Sequence, residues 1–200
     1  MNMEVGLRSH VNETLTYDLE LWHNRTKNFS ARGIVSSAPD GIISSFLNIP
    51  LEVEQSGITA NLNYEISDKL DIQYFLTFQE TQLDDAYDTL TVLSDPRDRR
   101  HQATPTWFGG FVANYDIREN WYLNVNGTFT EARTIIRFRG TKGEVDHIYL
   151  LNAKLAYEHN EDLTFYVTGK NLLDTDKNEF PWTDRSEMSV YLGMDFRPEI

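Results

Sequence analysis

The spacing of strand-like segments constrains this sequence more than any other feature. Nine segments alternate apolar and polar residues with a period of two, as half-buried β-strands do. They span residues 3–11, 14–23, 52–66, 70–82, 101–117, 121–136, 146–158, 163–173 and 185–197. No stretch of comparable length has the period of a helix. We therefore predict an all-β protein with antiparallel strands.

Short and long connections alternate strictly between these segments. Tight turns are predicted around Asn12, Ser67–Lys69, Arg118–Asn120 and His159–Asp162, and long connections over 24–51, 83–100, 137–145 and 174–184. Because successive antiparallel strands reverse direction, all tight turns lie at one end of the sheet and all long loops at the other. A soluble sandwich has no reason to separate its loops in this way, whereas bacterial outer-membrane barrels have short periplasmic turns and long external loops.

The segment lengths and the aromatic residues favour a membrane-spanning barrel. Many segments exceed the usual five or six residues of soluble strands, and a tilted membrane-spanning strand needs about 9–11 residues. Aromatic residues stand near the ends of the apolar stripes, namely Tyr149 and Tyr157, Trp121 and Phe129, and Trp107 and Tyr115. Such residues form girdles at the two membrane interfaces. We therefore predict an antiparallel transmembrane β-barrel.

The alternation also assigns side chains to two faces. We expect Leu62, Leu151, Leu155 and Leu192 to face lipid, and Asn63, Asn152 and Lys154 to face a wet or plugged lumen. A soluble barrel could point the same apolar stripe inward. The assignment of the apolar face to lipid therefore depends on the asymmetry of the loops together with the alternation.

Composition excludes several other classes of function. The chain has 31 acidic and 18 basic residues, a formal net charge of −13, which argues against nucleic acid as a partner. It has no cysteine, so a disulfide framework, a zinc finger and a cysteine nucleophile are excluded. No metalloprotease, nucleophile-elbow, phosphate-loop or dinucleotide-binding motif occurs. We expect no enzymatic activity, no cofactor and no resident metal.

One stretch near the end carries a more specific signal. In "VTGKNLLDTDKNEFPW" a strand is closed by the cluster Asn171, Leu172, Leu173 and Asp174, and a polar loop follows. The later stretch "RSEMSVYLGMDF" contains Gly193 and Phe196. Together they resemble the last two strands of TonB-dependent outer-membrane receptors. The hairpins over "SGITANLNYEISDKLDIQYFLTFQET" and "RHQATPTWFGGFVANYDIRENWYLNVNGTFT" are similar to those of the same barrels.

The resemblance implies an architecture and a function. Residues 1–200 would be a C-terminal segment of the receptor barrel, about nine strands of the 22 or so in such transporters, forming an open or curved sheet without the plug domain. The intact receptor would import a scarce nutrient, a ferric siderophore above all, across the outer membrane of a Gram-negative bacterium. Its partners would be lipid and lipopolysaccharide, the missing barrel strands and plug, the TonB system through that plug, and the nutrient.

Two charged segments are candidates for contact with a ligand. Asp84 and Asp85 begin an acidic loop, and Arg133, Arg137 and Arg139 cluster where a strand enters a long loop. The acidic loop could bind a cationic or metal-bearing ligand, and guanidinium groups suit anions such as lipopolysaccharide phosphates. Ordinary solvation explains both clusters more simply.

Two other functions stay open from the sequence. The chain could belong to a porin or another passive outer-membrane channel, which would have no plug. Less favoured is a soluble extracellular β-protein that binds carbohydrate.

Overall fold

The structure is a computed structural model that describes residues 1–28, 30–38, 41–48, 51–84, 99–136, 142–175, 178, 180, 183 and 186–198. Within these ranges the regular structure consists entirely of β-strands. The strands are β1 (Asn2–His10), β2 (Leu15–Thr26), β3 (Ser30–Ala38), β4 (Gly41–Asn48), β5 (Val53–Ser67), β6 (Leu70–Leu83), β7 (Trp107–Arg118), β8 (Trp121–Thr130), β9 (Arg133–Ile136), β10 (Lys142–Val145), β11 (Ile148–Asn160), β12 (Leu163–Lys170) and β13 (Ser189–Phe196).

Nine of these strands form one antiparallel sheet. Their order is β1-β2-β5-β6-β7-β8-β11-β12-β13, and β3–β4 and β9–β10 form two separate hairpins. Within the described ranges, β1 and β13 each pair along one edge only, so the sheet is open. The prediction of an all-β fold with nine antiparallel strands is confirmed. The nine strands also follow one another in chain order across the sheet.

Three of the four tight turns share one geometry. Two residues connect the strands at Asp68–Lys69, Glu119–Asn120 and Glu161–Asp162, and in each hairpin the register shifts just before the turn. Such bulges increase the local twist of a hairpin. In the fourth turn the side-chain Oδ1 of Asn12 accepts hydrogen bonds from the backbone N–H groups of Thr14 and Leu15. All four turns lie at one end of the sheet, called here the tight-turn end.

The opposite end, called the long-loop end, departs from the prediction in three places. Strand β7 begins at Trp107 because the chain turns first, where the Thr104 N–H donates to the His101 carbonyl. Strand β8 ends at Thr130, and Arg133–Ile136 pairs with β10 in a hairpin of its own. The hairpin β3–β4 lies within the predicted connection 24–51. The predicted segments 101–117 and 121–136 were therefore too long.

The sheet is a single layer, so few of its side chains are buried. Among the described residues, the buried apolar side chains are Leu51, Leu83, Val145 and Ile148. All four lie at the long-loop end, where loops and hairpins pack against the ends of the strands. The apolar residues of the sheet itself are much more open, as shown by Leu192, which is 86% exposed.

Candidate functional surfaces of the sheet

The register of the nine strands divides the sheet into two chemically different faces. Neighbours across the strands form a row on one face, called the apolar face: Leu15, Tyr64, Ile72, Ala113, Val125, Ala153, Gly169 and Val190. The adjacent row points to the other side, called the polar face: Thr16, Asn63, Gln73, Val112, Asn126 and Asn152. The sequence alternation therefore stays in phase across the whole sheet.

The four leucines predicted to face lipid lie together on the apolar face. Leu62 and Leu151 belong to one row through Tyr74, Phe111 and Gly127. Leu155 and Leu192 belong to another row, joined through Val167. The residues predicted to face the lumen, Asn63, Asn152 and Lys154, lie on the polar face, since each is the chain neighbour of an apolar-face residue.

Aromatic side chains gather on the apolar face near both ends. At the tight-turn end, the rings of Trp121 and Tyr157 lie 5.0 Å apart. At the long-loop end, Trp107 lies 5.6 Å from Phe129, and Tyr149 follows on the next strand. Tyr149 and Tyr157 are eight residues apart on β11, about 27 Å along the strand. A strand tilt near 40° reduces this to about 20 Å of height, close to the apolar band of outer-membrane barrels.

Beyond the aromatic residues at the long-loop end, the apolar face becomes polar and the polar face becomes apolar. On the apolar face of β6, Phe78 is followed by Glu80 and Gln82. On the polar face of β6, Thr77, Gln79 and Thr81 are followed by Leu83, which is buried. The strand therefore changes environment near Phe78, which marks one limit of the apolar band.

A chain of side-chain hydrogen bonds crosses the polar face. Nδ2 of Asn114 donates to Asp71 at 3.1 Å, and Nδ2 of Asn124 donates to Asn114 at 2.7 Å. The chain continues from Asn126 to Asn124 at 3.1 Å and from Asn152 to Asn126 at 3.0 Å. We call these five residues the asparagine ladder. It links β6, β7, β8 and β11, and its amides hydrogen-bond to one another along the polar face.

The terminal motif forms the turn that ends β12 and continues the ladder. The Asn171 backbone N–H donates to Oδ1 of Asn152 at 3.0 Å, and its side-chain amide donates to the Ser186 carbonyl at 2.6 Å. Asn171 and Asp174 have φ values of 50° and 45°, in the left-handed region that Asn and Asp tolerate best among residues with a side chain. The motif thus requires residues that both turn the chain and form hydrogen bonds.

The other motif residues pack or close the loop. Leu172 lies against Gly169, where a Cβ atom would come within 2.5 Å of the leucine Cδ2. The Met188 N–H donates to Oδ1 of Asp174 at 3.3 Å, which brings the start of β13 beside the motif. Leu173 is 53% exposed. Phe196 pairs with Leu163 at the tight-turn end of the apolar face.

Of the five charged residues predicted to contact a ligand, the structure describes two, Asp84 and Arg133. Asp84 forms an ion pair with Arg99 at 3.4 Å, and the Arg133 guanidinium lies 5.7 Å from the centre of the Phe180 ring. Asp85, Arg137 and Arg139 lie outside the described residues. The structure therefore assigns Asp84 and Arg133 local partners, and their predicted contact with a ligand stays a prediction.

Sequence reasoning did not predict a polar cleft at the long-loop end. Its volume is about 340 Å³, and Thr81, His101, Thr106 and Glu131 are among the residues that line it. Thr81 is 8% exposed, and its hydroxyl has no hydrogen-bond partner among the residues that the structure describes. His101 lies 2.6 Å from the Thr104 hydroxyl, and burial lowers the pKa of His101. The cleft depends on contacts between β6, residues 100–106 and β9, which no local sequence pattern reports.

Comparison with known families shows where the chain belongs. The family model described as "TonB dependent receptor-like, beta-barrel" matches residues 1–172. The chain therefore belongs to this family, as its terminal motif suggested. No curated protein matches the sequence significantly. Among the described residues, no helix is long and apolar enough to cross a membrane.

Solved structures support the same fold. The ferric-catecholate import receptor Fiu from E. coli K12 is 17% identical, with a TM-score of 0.74 over 98% of this chain and 27% of that one. The ferripyoverdine receptor of the outer membrane of Pseudomonas aeruginosa is 12% identical, with a TM-score of 0.68 over 98% and 26%. The copper transporter OprC is 12% identical, with a TM-score of 0.68 over 98% and 31%. The chain thus spans about a quarter to a third of each of these structures.

Proposed function

We propose that this chain forms part of the barrel wall of a TonB-dependent receptor in the outer membrane of a Gram-negative bacterium. The observation that carries the proposal is the division of one sheet into an apolar face between two aromatic clusters and a hydrogen-bonded polar face. A large exposed apolar surface needs a partner that covers it. Lipid covers such a face in outer-membrane barrels, whose interior is polar.

On this proposal Leu62, Leu151, Leu155 and Leu192 face lipid, and the asparagine ladder faces the lumen. The tight-turn end is then periplasmic and the long-loop end external, by the usual asymmetry of such barrels. Asp84 and Arg133 then lie at the external end, and we infer that Arg133 contacts an anionic ligand or the phosphates of lipopolysaccharide, which guanidinium groups suit. The role of the chain is to form a wall and present loops, without catalysis.

The cargo that we infer is a scarce nutrient taken up with energy from the inner membrane, in the first place a ferric siderophore. Two of the similar structures are by their titles receptors for ferric catecholates and for ferripyoverdine. A copper transporter shares the fold, so the fold by itself does not select the cargo. Energy would reach the barrel through a plug domain that contacts the TonB system.

Fractionation of the native bacterium tests the membrane location. We expect the protein in the outer-membrane fraction, where it requires detergent for extraction and migrates differently on gels before and after heating. Recovery in aqueous buffer without detergent would contradict the proposal and favour a soluble β-protein.

Uptake under iron limitation tests the function. A strain without the gene should lose growth on one or more ferric siderophores, and the restored gene should return it. Uptake that continues after the inner-membrane energy supply is collapsed would show a passive channel instead. Normal growth on every ferric siderophore tested would require a different cargo.

A further inference from the structure

Two lysines lie side by side on the polar face. Lys154 on β11 pairs with Thr168 on β12, and Lys170 is two residues further along β12. The two lysines are therefore diagonal neighbours, and such positions on adjacent strands lie roughly 7–8 Å apart at the backbone end of the side chains. Neither of them pairs with a carboxylate among the described residues, whereas Arg8 on the same face binds Asp18 at 2.6 Å. Two like charges thus lie on neighbouring strands of the same face, and neither has a carboxylate partner within the part of the chain that the structure describes.

Each lysine is held over an aromatic ring. The Lys154 ammonium lies 4.4 Å from the centre of the Tyr166 ring, and the Lys170 ammonium lies 5.6 Å from that of Tyr191. The Tyr166 ring lies across Gly193, where a Cβ atom would come within 2.4 Å of it. These contacts keep both ammonium groups against the wall, where they are available to a partner inside the barrel.

The positions of the two lysines along their strands show that neither belongs to a solvated loop. Lys154 is three residues from Tyr157, which belongs to the aromatic cluster at the tight-turn end. Lys170 is the last residue of β12, one position before Asn171, whose N–H binds Asn152 of the asparagine ladder. Both lysines therefore lie within the strands of the sheet. Ionisable groups at membrane depth face the interior of a membrane protein, where they are candidates for a functional contact.

We propose that Lys154 and Lys170 bind a carboxylate on the polypeptide segment that fills the barrel. The inference rests on the proposed function, because receptor barrels of about 22 strands have a plugged lumen. A polypeptide is favoured over a free anion because both lysines are exposed on an open wall. A small anion binds tightly where a concave site encloses it, whereas an Asp or Glu side chain is held in place by the rest of its own interface.

A zero-length carbodiimide cross-link tests the proposal directly in outer membranes from the native bacterium. The reagent joins a lysine amine to a carboxylate only when the two are in contact. We expect mass spectrometry to find Lys154 or Lys170 joined to an Asp or Glu that lies outside residues 1–200. The double variant Lys154→Arg/Lys170→Arg keeps both charges but cannot form the amide bond, so it should assemble normally and lose the cross-link. Lys69→Arg, at a tight turn, should leave the cross-link unchanged.

Two results would overturn the proposal. One is coupling only to carboxylates within residues 1–200. The other is the absence of any cross-link from either lysine in the wild type. In that case, a free-anion site is shown if Lys154→Gln/Lys170→Gln weakens binding of an anionic ferric siderophore at least tenfold. Failure of the proposed function would appear separately, as absence of the wild type from the outer membrane.

Discussion

The side-chain amide of Asn171 donates a hydrogen bond of 2.6 Å to the backbone carbonyl of Ser186, fifteen residues later in the chain. This bond fixes the end of β12 to the residues that precede β13. The backbone of Asn171 adopts a left-handed conformation at the same point. One residue therefore turns the chain, closes the last long loop and joins the asparagine ladder through its N–H.

Replacement of Asn171 should separate these roles. Asn171→Ala removes the amide bonds and places an unsuitable residue at a positive φ, so we expect a loss of about 1–3 kcal/mol in the free energy of unfolding. Asn171→Gly removes the same bonds but suits the backbone, so its loss should be smaller. Denaturant unfolding of the purified protein in detergent measures both. Equal losses would show that the backbone conformation contributes nothing, and Leu173→Ala, at an exposed position, serves as the control.

The assignment of faces predicts opposite tolerance at two nearby positions of β11. An arginine on the lipid face costs roughly 2–4 kcal/mol at the membrane midplane and less towards an interface, whereas a lumenal position tolerates charge. Leu155→Arg, two residues inside the Tyr157 cluster, should therefore reduce the amount of heat-modifiable protein in the outer membrane, and Asn152→Arg should reduce it much less. Quantitative blotting of membrane fractions makes the comparison. Similar levels of the two variants would mean that the faces are assigned wrongly.

A pair of glycines allows a matched test of packing on the polar face. A Cβ atom at Gly193 would lie 2.4 Å from the Tyr166 ring, whereas at Gly6 the nearest atom is the Leu19 carbonyl oxygen at 3.8 Å. Gly193→Ala should destabilise the protein by about 1–3 kcal/mol because the ring must move. Gly6→Ala, also on an edge strand, should change stability far less. Equal unfolding midpoints in detergent would contradict the close contact at Gly193.

The polar cleft should respond to pH through His101. Burial lowers the pKa of His101 from its ordinary value of 6.5, so the folded cleft favours the neutral imidazole. The unfolded segment binds the proton more readily, and the stabilisation is therefore present above pH 6.5 and decreases as the pH falls. Hydrogen exchange of residues 99–106, corrected for intrinsic rates, should show faster opening at pH 5.5 than at pH 7.5. His101→Gln should remove this difference, and an unchanged opening rate in the wild type would contradict it.

Local patterns predicted the faces of the sheet because a period of two requires no knowledge of neighbouring strands. Leu151, Leu155 and Leu62 share a face in the structure as expected. The end of β8 was misplaced because Arg133–Ile136 is itself strand-like and follows β8 after only two residues, so that only its pairing with β10 distinguishes it from β8. The asparagine ladder could not be predicted, since Asn124 meets Asn114 only in the register that the bulged turn between β7 and β8 defines.

The asparagine ladder also has a direction. Each amide donates towards Asp71 and accepts from the next residue along: Asn114 donates to Asp71, Asn124 to Asn114, Asn126 to Asn124 and Asn152 to Asn126. An ionised carboxylate can only accept hydrogen bonds, so Asp71 determines which way the first amide points. The orientation of the first amide then determines that of the next, and so on across four strands. A single carboxylate near a tight turn thereby orients a row of dipoles along the polar face, and no amide in the row can reverse alone.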